Sequence, residues 1–282
     1  MKAQSSIHRL QVLVVGATGS IGRLVVDEAL RAGHAVRALV RDPARAAALP
    51  AGARRADVVQ GDLTHPESLA KAVDDIDAIV FTHGSDGGGK TGSEQVDYGG
   101  VRNVLAALRD RQEHHELAPL RGRQTRIALM TAIGVTNRAS SYNQSTEAHD
   151  WKRRAERLVR ASGLPYTIVR PGWFDHNDAD QHRLVLLQGD RRHAGDPSDG
   201  VVARRAIAEA LVRSLTSDAA RGKTFELVAE QGPEQADFDA LFDALQPDRP
   251  GALDACSDQD NMPLGGEPER VRADLARLAW QG

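Results

Sequence analysis

Cysteine occurs once in the 282 residues, at Cys256. A single thiol excludes an intrachain disulfide and a metal cage built only of cysteines, and it fits a reduced, cytoplasmic compartment. Long apolar runs are also missing: no window approaches the ~18 uninterrupted apolar residues of a membrane helix. Met1 to Arg9 is short and polar, so neither a signal peptide nor a membrane partner is expected. Neither sign of charge is in excess. The chain carries 36 Lys and Arg against 39 Asp and Glu, a formal net charge of -3. A nucleic-acid partner held by its phosphates would call for a basic chain, so none is expected. Aromatic residues are sparse at 4%, and there is no internal repeat. What remains is 41% hydrophobic residues, enough for a packed core. The length suits one large α/β domain with at most a small appendage.

The most informative stretch is Val12-Leu13-Val14-Val15-Gly16-Ala17-Thr18-Gly19-Ser20-Ile21-Gly22. An apolar run ends in a glycine, two more glycines follow at three-residue intervals, and a helical pattern begins. Strand, glycine turn and helix start together form a dinucleotide-binding fingerprint. Gly16 turns the chain off the strand, Gly19 lets the backbone approach a pyrophosphate, and Gly22 lets the helix pack closely on the strand. The N–H groups of the turn and helix start, from Thr18 to Gly22, then face the anion.

The rest of the chain alternates strand and helix patterns. Strands are expected at 34–40, 57–60, 77–81, 126–131, 166–170, 184–188 and 224–229, and helices at 66–73, 94–111, 147–162, 201–215 and 269–280. Asp42-Pro43 reads as an N-cap and first helical residue opening a short alanine-rich helix. Residues 111–125 read as an irregular loop with His114 and His115 solvated, and 247–268 as loop. Strands and helices alternating at this spacing give βαβ units and a parallel sheet. The expected architecture is an α/β doubly wound parallel sheet with helices on both faces. It forms a single domain over 8–282, with 172–200 and 230–282 as a small substrate-side appendage.

In such sheets ligands sit at the carboxyl ends of the strands. At the end of the second strand stand Arg41 and Asp42. Asp42 is accounted for as the N-cap, whereas the Arg41 guanidinium suits a 2'-phosphate in a fork, which favours NADP over NAD; a solvated charge is the alternative. Asp62-Leu63 suits an adenine, with a carboxylate for the exocyclic amine and an apolar cover for the ring. Thr82-His83-Gly84 falls beside the same cleft.

The sequence resembles the atypical or extended short-chain dehydrogenase/reductase superfamily, in its NAD(P)H-binding, epimerase-like branch. The likeness rests on the fingerprint, Leu39-Val40-Arg41-Asp42-Pro43, Gly61-Asp62-Leu63 and Val96-Asp97-Tyr98 with Val101 and Asn103. It continues through Lys152 with Glu156 and the run from Ser162 to Gly172. The resemblance implies a Rossmann fold, Arg41 on the 2'-phosphate, and Pro171-Gly172, with Trp173 beyond, near the nicotinamide. It also implies carbonyl reduction by a Ser or Thr, a Tyr and a Lys, the Tyr four residues before the Lys. Such a tyrosine donates a proton near neutral pH because neighbouring positive charges lower its pKa. Here Lys152 holds the lysine place, but Ala148 stands where the tyrosine belongs.

Lys152 still suits the nicotinamide ribose, and Thr131 at the end of the fifth strand suits substrate orientation, unless Ala132 takes that slot. Tyr142, His83 and His149 are the candidate replacement acids, while Tyr98 reads as a packing residue. His176, Asp178, Asp180 and His182 alternate but do not match a metal motif, so no metal is expected; Trp173 to His182 reads instead as a wall of the substrate pocket. The expected function is an NADP-dependent oxidoreductase acting on a small carbonyl or related substrate, as a monomer or homodimer. The alternatives are a non-catalytic NADP(H)-binding regulator, favoured by Ala148, and an epimerase or isomerase using bound NAD(P).

Overall fold

In the computed structural model, residues 9–49, 52, 55–114 and 124–279 are described. The N-terminal apolar run forms β1 (Gln11–Val15). Its side chains serve two layers, Val12 and Val14 in one hydrophobic cluster and Leu13 and Val15 in the other. A strand buried on both pleated faces belongs at the centre of a sheet covered on both sides. β1 pairs in parallel with β2 (Ala35–Val40) and β4 (Ala78–Phe81). β3 (Asp57–Gln60) continues the sheet beyond β2. On the other side follow β5 (Arg126–Met130), β6 (Tyr166–Pro171) and β10 (Lys223–Glu230), all parallel.

The order β3-β2-β1-β4-β5-β6-β10 changes direction between β1 and β4. That switch point is where a doubly wound sheet opens a crevice at its carboxyl edge. β8 (Arg183–Leu187) and β9 (Val201–Val202) run antiparallel to β10, and β7 (Trp173–Phe174) pairs with β9. α1 (Gly22–Arg31) and α6 (Arg204–Ser214) cover one face. α3 (Gly99–His114), α5 (Ala148–Ala161) and α7 (Glu269–Leu278) cover the other. The chain therefore has the doubly wound α/β fold that its alternating pattern predicts.

Several elements differ from expectation. The helix expected over 94–111 is two pieces, a π-helical turn over Ser93–Tyr98 and α3, with the short α2 (Gly89–Gly92) leading into them. The wider turn carries an extra residue, and Ser93, Asp97 and Tyr98 are all buried along it. His114 ends α3 rather than lying in a loop; His115 lies outside the described residues. Pro43–Ala48 and Pro66–Ser68 are 3-10 turns, each opened by proline, rather than α-helices. Asp42 caps the first as expected, accepting from the Ala44 N–H at 2.9 Å. Val201 and Val202 leave the expected helix to pair as β9. Residues 247–268 are loop apart from a 3-10 turn at Leu264–Gly266. Trp280, placed in the last helix by its pattern, lies outside the described residues.

The charge on α5 is the largest departure. A helix this rich in charge would ordinarily face water, yet Arg153, Arg154, Arg157 and Arg160 are all buried. Carboxylates of the C-terminal loop meet them. Arg153 and Arg157 share Asp254 at 3.0 and 2.7 Å, Arg154 pairs with Glu267 at 2.7 Å, and Arg160 with Asp248 at 3.1 Å. On β6, the fully buried Arg170 reaches Glu156 and Asp258, both at 2.7 Å. A buried charge is tolerated only when paired and hydrogen-bonded, so these pairs fix the loop against α5.

Candidate functional site

The fingerprint turn lies at the carboxyl end of β1. Gly16 takes φ +85°, and a Cβ there would stand 2.7 Å from the His83 nitrogen. A Cβ on Gly22 would stand 2.0 Å from the Gly16 oxygen, so only glycine lets α1 approach the turn. The Gly19 N–H closes the turn on the Gly16 oxygen at 2.9 Å. Gly19 and Ser20 are exposed, Thr18 is half-buried and Ile21 is buried under the turn. No side chain caps α1 at Ile21. The Arg23 N–H bonds the Gly19 oxygen at 3.1 Å, and the Leu24 and Val25 N–H groups bond the Ile21 oxygen at 2.9 and 3.0 Å, so a pyrophosphate would be met by N–H groups of the turn ahead of Arg23.

Around this turn the carboxyl ends of β2, β3 and β4 supply the other expected residues. Arg37 and Arg41 have opposite fates. Arg37 is committed to Asp57 at 3.0 Å and to the Asp74 carbonyl at 2.5 Å. Arg41 is exposed; its backbone carbonyl accepts from Gln60 at 3.3 Å, and its guanidinium makes no ion pair or hydrogen bond among the described residues. Asp62 is partly buried, which disfavours its charge, yet hydrogen bonds from the Thr64 N–H and hydroxyl, then the charges of His65 and Arg41, hold its carboxyl below the usual range. Leu63 is anchored by Asn103, whose amide donates to its carbonyl at 2.6 Å. The Thr82 hydroxyl donates to the Val15 carbonyl at 3.0 Å and ties β4 to the turn. Gly84 is exposed just beyond.

Farther along the same edge, Lys152 of α5 donates to Asp97 at 2.8 Å. Asp97 also accepts from the Ser85 hydroxyl at 2.8 Å and the Ser85 N–H at 3.2 Å. Lys152 is thus not one more solvated cation of its helix; the π turn presents a buried carboxylate to it. The same turn offers the Val96 carbonyl to His83 Nε2 at 3.0 Å. Burial pushes the His83 pKa down to about 4, so the ring is neutral; with Nε2 donating, Nδ1 is left buried without a partner.

Thr131 lies at the end of β5, 5% exposed, and its hydroxyl donates to Glu156 at 2.8 Å. Burial opposes the Glu156 charge, but Arg170 and Arg160 win and hold its pKa down to about 2, so the acceptor is a carboxylate. The Thr131 hydroxyl, expected to orient a substrate, is directed inward to this carboxylate. Ala132 follows and carries no hydroxyl. Tyr98 packs as expected, its ring 5.3 Å from Trp151 and its hydroxyl donating to Asp274 at 2.8 Å.

Pro171 ends β6. Gly172 is dictated by a backbone crossing, since a Cβ there would stand 2.4 Å from the Gly200 oxygen. Trp173 is 39% exposed, with the His176 ring edge-on at 6.2 Å. His182 Nε2 lies 2.7 Å from the Ala179 carbonyl. Among the described residues no three His, Cys, Asp or Glu side chains converge as a metal set. No helix among them is long and apolar enough to cross a membrane.

The sequence reading missed what Asp97 does, although Val96-Asp97-Tyr98 stood out as a motif. Its contact with Lys152 depends on the π turn, which the apolar pattern does not announce. The arginine clamp had a readable signal: basic residues recur on one helix while Asp248, Asp254, Asp258 and Glu267 cluster in the closing loop.

Comparison with known proteins agrees with this geometry. The model of the NAD(P)H-binding family matches residues 16–218. A Bacillus subtilis protein named uncharacterized sugar epimerase YhfK is 30% identical over 229 residues, spanning 79% of this chain and 96% of that one. Sanguinarine reductase of Eschscholzia californica is 26% identical over 279 residues, spanning 84% and 96%. Among solved structures, the oxidoreductase ylbE of Lactococcus lactis shares the fold with a TM-score of 0.62 at 17% identity, over 84% of this chain and 96% of that one. With the family match running from its first fingerprint glycine to just past α6, the chain belongs to the NAD(P)H-binding family.

Proposed function

We propose that the chain is an NADPH-dependent reductase of a small carbonyl or a related C=N or C=C compound. The observation that carries this reading is Lys152, held at the carboxyl edge of the sheet by the buried Asp97 rather than released to solvent. An ammonium fixed there suits the ribose hydroxyls of a nicotinamide nucleotide, and a reductase among the relatives agrees.

The residues present fit the cofactor. The glycine turn is packed so closely that Cβ atoms on Gly16 and Gly22 would strike backbone, while Gly19 and Ser20 stay exposed just ahead of α1. Gly16, Thr18, Gly19, Ser20, Ile21 and Gly22 would hold the pyrophosphate, Asp62 and Leu63 the adenine. Arg41, exposed and with its guanidinium uncommitted, would take the 2'-phosphate, which is why NADP is preferred to NAD. Thr82, His83 and Gly84 would border the ribose side, and Pro171, Gly172 and Trp173 the nicotinamide end. When bound, the reduced nicotinamide supplies a hydride. The protein's part is to align the substrate, exclude water and provide a proton to the atom opposite the hydride.

A second reading, an NADP(H)-binding regulator, is favoured by Ala148, Ala132 and the inward commitment of Thr131. One assay separates the two. Purified protein is incubated with NADPH and a panel of aldehydes, ketones and imines, and the loss of NADPH absorbance is followed. Turnover is expected, with Lys152→Ala lowering kcat/KM by ~100-fold, as for loss of a positioned polar group at a reacting centre. Tight NADPH binding with no turnover, unaffected by Lys152→Ala, overturns the reductase reading in favour of the regulator.

A further inference from the structure

The chain lacks the hydroxyl that would protonate a reduced substrate, and most nearby polar hydrogens are spoken for. Thr131 donates to Glu156, Ser85 to Asp97, and Tyr98 to Asp274. His83 donates from Nε2 to Val96, and its Nδ1 is sealed. His149 differs. It follows Ala148 directly and stands three residues before Lys152, on the same helix face. Its ring seats against Gly134, in the loop leaving β5: a Cβ there would lie 3.5 Å from His149 Cε1 and 4.0 Å from Nδ1. The Tyr142 ring, on α4 (Ser141–Thr146), meets it edge-on at 5.2 Å. Nδ1 is buried with no partner, so proton exchange by this ring would have to use Nε2.

We propose that the His149 imidazole is the proton donor of the reduction, acting from Nε2 in place of the tyrosine hydroxyl that Ala148 lacks. This assignment rests on the reductase reading above. The balance is simple. The carbonyl carbon receives a hydride from the reduced nicotinamide, and the C=O π bond breaks. The oxygen bonds the proton that leaves His149 Nε2. The imidazolium becomes neutral imidazole and is reprotonated from solvent, while an alcohol and the oxidised nucleotide leave. The groups facing the ring set its titration. Burial lowers its pKa below the ordinary 6.5. Asp190, from the loop after β8, and Asp150, on its own helix, oppose that shift, while Lys152 and His193 reinforce it. The donor form is populated below that pKa, so turnover falls as pH rises through a value under 6.5.

The test uses the full-length protein and its His149→Gln and Tyr142→Phe variants. His149→Gln is expected to keep NADPH affinity, lower kcat by ~100-fold or more, and lose the descending pH limb, while Tyr142→Phe keeps that limb. Independently of turnover, diethyl pyrocarbonate should carbethoxylate His149 and bound NADPH should protect it, as read by mass spectrometry. Retained turnover and pH limb in His149→Gln, a limb lost in Tyr142→Phe instead, or labelling unchanged by NADPH overturns this assignment and leaves the reductase reading standing. A wild-type protein that binds NADPH yet reduces nothing in the panel overturns both.

Discussion

Single residues around Arg170 are tuned in opposite directions. Arg170 is fully buried and already has two carboxylates, Glu156 and Asp258, at 2.7 Å. Glu226 is a third, at 3.3 Å. Burial pushes its pKa from an ordinary 4.5 up to about 7, with Arg170 opposing and Asp190 reinforcing the rise. The folded state therefore holds the Glu226 proton more tightly than the unfolded chain. A stability cost grows as pH rises from 4.5 to about 7 and is constant above. Glu156 has the opposite sign. With its pKa held at about 2, it stabilises the fold above 4.5, and that contribution is lost as pH falls towards 2. Glu226→Gln removes the first effect alone. The variant is expected to gain up to ~3 kcal/mol over the parent at pH 8 and almost nothing at pH 4, measured by urea unfolding at both pH values. Equal shifts at the two pH values would contradict the account.

At the scale of elements, α5 joins the site to the C-terminal loop. One of its faces carries Ala148, His149 and Lys152, and its buried arginines hold residues 248–267. Removing one partner of a buried pair strands the other, so the clamp and ordinary surface pairs differ in cost. Asp254→Asn weakens the partner of both Arg153 and Arg157, which are 0% and 2% exposed at their side chains. It is expected to cost ~3 kcal/mol or more, seen as a fall in the urea midpoint. Asp27→Asn on α1 is the control, because Arg31 is 48% exposed; its cost should stay under ~1 kcal/mol. Equal costs would mean that the loop is not clamped.

At the scale of the molecule, the fold was legible because its signals are local and repeated. Apolar strands of four to six residues, helical spacing and a glycine at each forced close approach all point to the doubly wound sheet. The fingerprint was legible for the same reason: Gly16 and Gly22 are required by backbone that is near in sequence or in the adjoining strand. The Lys152–Asp97 contact was not, since it joins helices 55 residues apart through a π turn. Neither were the arginine pairs of α5. A cation on a helix reads as solvated until the anion covering it is placed, and those anions lie about a hundred residues on. Thr131 shows the same limit: its position at the strand end was readable, its inward partner was not.

All these scales meet in the claim that the carboxyl edge of the sheet holds NADPH through the glycine turn and Arg41. Calorimetric titration of the wild type and Arg41→Ala with NADPH and with NADH tests it most directly. The account predicts that the wild type binds NADPH at least ~10-fold more tightly than NADH, a difference of ~1.4 kcal/mol. It also predicts that Arg41→Ala removes the difference by weakening NADPH alone. Equal affinity for the two nucleotides in the wild type, or an equal loss of both in the variant, would contradict it.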